Sequence, residues 1–299
     1  MFDLPLDQVR TLLAAVDEGT FEAAAESLHV TPSAVSQRIK ALEQRTGRVL
    51  LLRTKPVRLT ASGEVLVRFG RQLARLEQDV RTDLGIGDGA GPTALPIAVN
   101  ADSLATWFLP ALVEVAGSHD VTFELHREDE DHTAALLRQG LVMAAVTSSP
   151  QAVQGCSVRA LGRMRYLAAA TPRFAARWLA GTPLRDALPG APMVVFDRKD
   201  DLQDGFLRAF APGRTPTRAR HHTPSSEAFT AAVASGLGWG MIPESQAAPH
   251  LAAGTLVELA PDHPVDVLLH WQQWKLDSPA LAAVARAVAR AASASLAPA

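Results

Sequence analysis

Residues 20–45, TFEAAAESLHVTPSAVSQRIKALEQR, constrain the fold of this chain more than any other stretch. Apolar side chains at Phe21, Ala24, Ala25 and Leu28 predict one short helix. Thr31 reads as the N-cap of a second helix and Pro32 as its first residue, where a missing N–H costs nothing. Within that helix Val35, Ile39 and Leu42 fall at i, i+4 and i+7 and must face a core. Its opposite face then shows Ser33, Ser36, Gln37 and Lys40, with Arg38 at the margin. Two short helices joined by a tight turn, the second with a polar outer face, make a helix–turn–helix. An earlier helix over 6–18, apolar at Leu6, Val9, Leu12, Leu13 and Val16, ends at Gly19, and Thr20 can cap the next.

The charge around this motif is divided. Residues 1–30 hold one basic side chain (Arg10) against six acidic ones, a net of −5. Residues 31–60 hold seven basic side chains (Arg38, Lys40, Arg45, Arg48, Arg53, Lys55, Arg58) against Glu43, a net of +6. The whole chain carries only −2, so the partner shows in the local patch, which is the footprint of phosphate contacts on double-stranded DNA. The segment 49–60 predicts a β-hairpin with Thr54-Lys55-Pro56 at its tip, presenting Arg53 and Lys55.

At 299 residues the chain is too long to be only a DNA reader. A helix is expected over about 61–84, with Leu66, Phe69, Leu73, Leu76 and Val80 spaced 3, 4, 3, 4. That seam suits a dimer contact. The Gly/Pro-rich stretch GIGDGAGPTALP follows as a linker. From Leu95 onward short apolar strands alternate with helices, at 95–99, 121–126, 142–147, 164–170, 193–196, 217–221, 238–242, 255–258 and 265–271, predicting an α/β fold with a largely parallel sheet. The expected division is 1–60 for DNA binding, 61–94 for a dimerisation helix and hinge, and 95–299 for a sensor. Its lobes are expected over 95–163 with 267–299, and over 164–266.

Cys156 is the only cysteine, so no disulfide can form within the chain and a reducing, cytoplasmic setting fits. No apolar run reaches the ~18 residues that span a bilayer, and no membrane partner is expected. No Cys/His nucleophile pair, G-x-S-x-G, P-loop or metal-ligand spacing is present, so neither an enzyme nor a cofactor is expected. His221 and His222 are adjacent and on a strand would face opposite ways. Trp107 and Phe108 read as core.

The segment FEAAAESLHVTPSAVSQRIKALEQRTGRVLLLR resembles the winged helix–turn–helix of LysR-type transcriptional regulators, and the likeness covers nearly the whole chain. SAVSQRIKALE, AVNADSLATWFLPAL, EDEDHT, FDRKDD, SSEAF and MIP are similar to the ArgP/LysG group, which responds to basic amino acids. The resemblance implies a sensor of two lobes similar to periplasmic binding proteins, a homodimer assembling to a homotetramer, and control of basic-amino-acid export or metabolism. It allows RNA polymerase as a further partner. It also implies DNA contacts from Pro32, Ser33, Ser36, Gln37, Arg38 and Lys40, and minor-groove or phosphate contacts from Arg53 and Lys55.

In open α/β sheets, ligands bind at strand carboxyl ends beside helix openings. Here those ends offer Asn100, Asp102 and Ser103, then Asp129, Thr147, Asp197, and Ser226 with Glu227. Helix N–H groups and hydroxyls suit a carboxylate, and acidic side chains suit ammonium groups. Lysine or arginine brings a second cation and needs two acidic patches. Asp102 and Asp197 are expected near the α-ammonium or carboxylate, and Asp129 or Glu227 near the distal cation. Two other readings remain: an architectural DNA-binding protein with no effector response, and a regulator with a different small-molecule effector.

Overall fold

The computed structural model describes residues 4–84, 92–127 and 130–299. It opens with three helices, α1 (Leu6–Asp17), α2 (Phe21–Ser27) and α3 (Pro32–Thr46). The Thr20 hydroxyl accepts the Ala23 N–H at 3.1 Å and that of Thr31 accepts the Ala34 N–H at 3.2 Å, so both caps form where the sequence puts them. Gly47 ends α3 in the left-handed conformation, φ 65°. Val35, Ile39 and Leu42 are buried against Val9, Leu12, Ala15, Ala24 and Ala25. Each large member contributes ~1.5–3 kcal/mol of burial. Strands β1 (Leu51–Leu52) and β2 (Arg58–Leu59) pair antiparallel as the wing. Glu43 ties the wing to α3 by accepting the Leu50 N–H at 2.8 Å.

Helix α4 (Ala61–Asp83) starts against the wing, where Thr60 caps the Gly63 N–H at 3.1 Å. The expected seam divides. Leu66 turns into the N-terminal core beside Val67, and so departs from the dimer contact expected of it. Phe69, Leu76 and Val80 stay exposed, and Leu73 is half-buried. The cause is local: Leu66 falls where α4, with Val67 and Gly70, packs on the N-terminal core, while Phe69, Leu76 and Val80 lie outside that contact.

The rest of the chain forms strands β3 (Thr93–Val99), β4 (Val121–Arg127), β5 (Ala144–Thr147), β6 (Cys156–Ala170), β7 (Met193–Val195), β8 (Arg220–His222), β9 (Gly240–Pro243), β10 (Val257–Glu258) and β11 (Val265–Trp274). Its helices are α5 (Ala101–Ser103), α6 (Leu109–Ala116), α7 (Glu130–Gln139), α8 (Pro172–Trp178), α9 (Leu184–Ala187), α10 (Leu202–Phe210), α11 (Ser226–Ala234), α12 (Glu244–Ala252) and α13 (Pro279–Ser295). A π-helical turn at Leu104–Phe108 joins α5 to α6 and buries Trp107 and Phe108.

All nine expected strands are present, but the expectation of a largely parallel sheet fails. In the seven-stranded sheet, ordered β10-β6-β11-β5-β3-β4 with β9 also on β6, only β3 pairs parallel, with β4 and β5. The pairs of β6 with β9, β10 and β11, and of β11 with β5, are antiparallel. Strand β6 begins eight residues before its expected start, because its first half is mostly exposed and short of large apolar side chains.

Strands β6 and β11 run side by side and join the two lobes. Their register shifts between Leu269 and His270, opposite Gly162. Gly162 sits at φ 148°, and a Cβ there would lie 2.7 Å from the Ala297 carbonyl oxygen. The C-terminal tail thus closes onto the strand pair, with the Arg163 N–H donating to the Ala297 carbonyl at 2.8 Å. Cys156 opens β6 in the core, and burial pushes its thiol up to about 11, which keeps it protonated at neutral pH.

The sensor rests on its own chain's N-terminal part. Arg71 on α4 donates to the carbonyl of Gln139, at the end of α7, at 2.7 Å, and its other arm pairs with Asp17 of α1. The Gln139 amide donates to Glu64 at 3.3 Å.

Candidate nucleic-acid interface and effector cleft

On α3, Pro32, Ser33, Gln37 and Lys40 are exposed, and Ser36 is half-buried. Arg38 leans toward α1 and donates to Thr11 Oγ1 at 3.4 Å. A helix fits the major groove with such a face toward the base edges. Arg53 and Lys55 project from the wing, and the Arg53 guanidinium lies 5.8 Å from the centre of the Phe21 ring, which holds it beside α2. Gln37→Ala is expected to relax base preference at one half-site position by ~1–3 kcal/mol. Arg53→Ala is expected to weaken binding to every sequence and flatten its salt dependence. Binding titrations on operator variants at several salt concentrations check both, and wild-type behaviour in both mutants would remove this face from the interface.

A cavity of about 660 Å³ opens between the two lobes. Of the residues expected in it, Asn100, Asp102, Thr147, Asp197 and Ser226 line it. Two do not. Ser103 is fully buried with its hydroxyl unpartnered, because one more residue of helix rotates it from the opening into the packing. Glu227 is exposed and accepts the Ser225 hydroxyl at 3.0 Å, in the ordinary place of an acid in a first helical turn. Asp129 lies outside the described residues.

Asp102 is the node of the cleft. One oxygen accepts the Tyr166 hydroxyl at 2.7 Å and the other accepts the Ser226 hydroxyl at 2.6 Å. Tyr166 comes from β6 and Ser226 opens α11, so the carboxylate links elements far apart in sequence. Burial, with the Asp102 charge second, holds the Tyr166 phenol well above its usual range, so it remains a donor. Thr147 accepts the Ser149 N–H at 3.1 Å. Asn100 Oδ1 is buried without a hydrogen-bond partner.

The loop before α10 supplies two further carboxylates. Asp197 accepts the N–H groups of Lys199 and Asp200 at 2.7 and 3.0 Å. Asp200 accepts those of Phe196 and Leu202 at 2.8 and 3.0 Å. Burial raises the Asp200 pKa above the carboxylate norm, and the Asp197 and Asp102 charges add to the rise against the two backbone donors. Arg127 and Lys199 also line the cavity, as does Gln203.

Sequence reasoning missed Tyr166, Asp200, Arg127 and Lys199. For Asp200 and Lys199 a signal existed, since both lie in FDRKDD beside Asp197. Arg127 lies at the end of β4, where a ligand-facing side chain was to be sought. For Tyr166 there was none.

A basic helix–turn–helix joined to a two-lobed domain with a polar cleft defines a ligand-responsive DNA-binding regulator. Residues 6–64 match the model of the bacterial regulatory helix-turn-helix protein, lysR family, and residues 93–293 match the LysR substrate binding domain. The chain is 46% identical over 289 residues to the lysine export transcriptional regulatory protein LysG of Corynebacterium efficiens, covering 96% of this chain and 97% of that protein. It matches the crystal structure of ArgP from Mycobacterium tuberculosis at 46% identity and TM-score 0.90, covering 99% of this chain and 100% of that one. It matches full-length LysG from Corynebacterium glutamicum with bound effector Arg at 43% identity and TM-score 0.87, with the same coverage. The chain belongs to the LysR family of bacterial transcriptional regulators, and is not an enzyme. Within the family its relatives are regulators named LysG and ArgP.

Proposed function

We propose that this regulator responds to a basic amino acid of the lysine/arginine class bound in the cleft, and controls the export or metabolism of such amino acids. The observation that carries the reading is the convergence of Asp102, Asp197 and Asp200 on one cavity. Asp102 suits the α-ammonium group. With Glu227 facing away, the distal cation falls to Asp197 and Asp200. Arg127 and the helix openings at Asn100 and Ser226 suit the carboxylate. The arginine named with the related LysG has these groups.

Pro32, Ser33, Ser36, Gln37 and Lys40 meet base edges and phosphates, Arg38 the backbone, and Arg53 with Lys55 the flanking groove. The exposed Phe69, Leu76 and Val80, with Leu73 beside them, receive a second copy of α4, and such dimers pair into a tetramer. Among the described residues no helix is long and apolar enough to cross a membrane. A regulator of chromosomal DNA works in the cytoplasm. Ligand closes the lobes, closure alters packing between copies, and half-site spacing changes. This population shift requires different affinities for the two assemblies.

A thermal-shift screen of the proteinogenic amino acids tests the effector. Lysine or arginine at 100-fold excess over its dissociation constant should stabilise the protein by ~2.7 kcal/mol. Glutamate stabilising as strongly as lysine would defeat the charge argument, and no response to any amino acid would favour the architectural reading.

The raised Asp200 pKa sets the pH dependence. A bound cation favours the ionised carboxylate, so binding releases a proton and weakens as pH falls through the raised value, above the ordinary 3.8. In the unliganded protein the sign is opposite. Ionising Asp200 is harder in the folded state, so its contribution to stability is full below 3.8 and lost as pH rises through the folded value. Calorimetry of arginine binding across this range, with Asp200→Asn as the variant that removes the slope, checks the prediction.

A further inference from the structure

A polar relay lies behind the cleft. Thr230 Oγ1 donates to Gln246 Oε1 at 2.7 Å, Gln246 Nε2 donates to Ser226 Oγ at 3.0 Å, and Ser226 Oγ donates to Asp102 at 2.6 Å. Thr230 and Ser226 are buried on α11, and Gln246 reaches them from α12. Gln246 and Thr230 do not line the cavity.

We propose that Gln246 and Thr230 are positioning residues: they fix the direction of the Ser226 hydroxyl hydrogen toward Asp102, and so tie α11 to the opening of α5 across the cleft. The inference rests on the effector reading only where binding is concerned.

The direction follows from donor and acceptor chemistry. A carboxylate only accepts, and Ser226 has one hydrogen to give. With that hydrogen spent on Asp102, the group facing Ser226 from Gln246 must be a donor, which assigns its NH2 end. The carbonyl end is left for Thr230, whose hydroxyl supplies a hydrogen to it. Ser226 Oγ also lies 3.4 Å from Gln246 Oε1, a longer and weaker alternative. Each group thus fixes the polarity of the next: while the NH2 end of Gln246 faces Ser226, no competing acceptor draws the Ser226 hydrogen away from Asp102. Tyr166 satisfies the other oxygen, so an ammonium group meets a carboxylate already held in place.

The relay has a polarity, and that makes it testable apart from packing. Glutamate at 246 keeps the size and turns the donor into an acceptor, so two carboxylates compete for one hydrogen. In effector-free protein, Q246E should lower the melting temperature by roughly 3–6 °C. In an S226A background the relay is already broken, and the same change should cost less than a third of that. Equal losses in the two backgrounds would mean repulsion or packing alone, and would overturn the proposal. Leucine at 246 removes the donor but leaves Ser226 free to serve Asp102. In calorimetry Q246L should raise the dissociation constant for arginine less than threefold and Q246E by tenfold or more. Equal effects of the two would also overturn it. Wild-type protein that binds neither arginine nor lysine would end the effector reading, while the stability comparison would still decide the relay.

Discussion

Replacing Asp102 with alanine is expected to weaken arginine binding by about 100-fold, or ~2.7 kcal/mol. Two losses combine. The carboxylate proposed to face the ammonium group disappears, and the hydroxyls of Tyr166 and Ser226 lose the acceptor they share. A donor stranded in a buried site costs ~1–3 kcal/mol in addition to the contact itself. Lobe closure should therefore become less favourable even before ligand enters. Calorimetry on D102A beside D102E separates the two: glutamate restores charge without restoring geometry, so its affinity should fall between alanine and wild type. Arginine binding to D102A with wild-type affinity would remove Asp102 from the site.

The second large effect is expected at Gly63, where α4 meets the wing. A Cβ there would lie 2.1 Å from the Leu50 carbonyl oxygen and 3.0 Å from the Leu59 side chain. That oxygen already accepts the Thr60 N–H at 3.0 Å, so it cannot retreat without opening the cap of α4. Alanine is the better helix former by ~1 kcal/mol, which the clash outweighs. G63A should destabilise the N-terminal part by ~3 kcal/mol and reduce operator binding at least tenfold. Arginine binding should stay within about threefold of wild type, since the cleft lies elsewhere. Differential scanning calorimetry and operator titrations report both, and an unchanged melt with full DNA affinity would show that the contact yields easily.

The two ends of the protein differ in how far the sequence disclosed them. The helix–turn–helix was readable because its determinants are local. Thr20 and Thr31 cap within three residues, Gly47 terminates α3, and Val35, Ile39 and Leu42 face one way by helical spacing alone. Strand positions were readable for the same reason, and the ends of β3, β5, β7 and β8 led to Asn100, Asp102, Thr147, Asp197 and Ser226. Rotation about a helix was not readable at one-residue precision, so Ser103 and Glu227 were expected beside neighbours that do face the cleft. Pairing direction was not readable either, since β6 and β11 return across the sheet and meet through contacts about 100 residues apart. Tyr166 was hidden for that reason too. It sits in a continuous apolar stretch of β6, and the group that gives its hydroxyl a purpose lies 64 residues away.

Arg71 carries a consequence for regulation. One guanidinium serves a carboxylate on the reading head and a carbonyl at the foot of the sensor. Swinging the sensor away from α4 gives up the Gln139 bond, and lifting α1 off α4 gives up the Asp17 pair, whose half-exposed carboxylate can turn to water. The carbonyl contact is therefore the one that a change of posture has to replace.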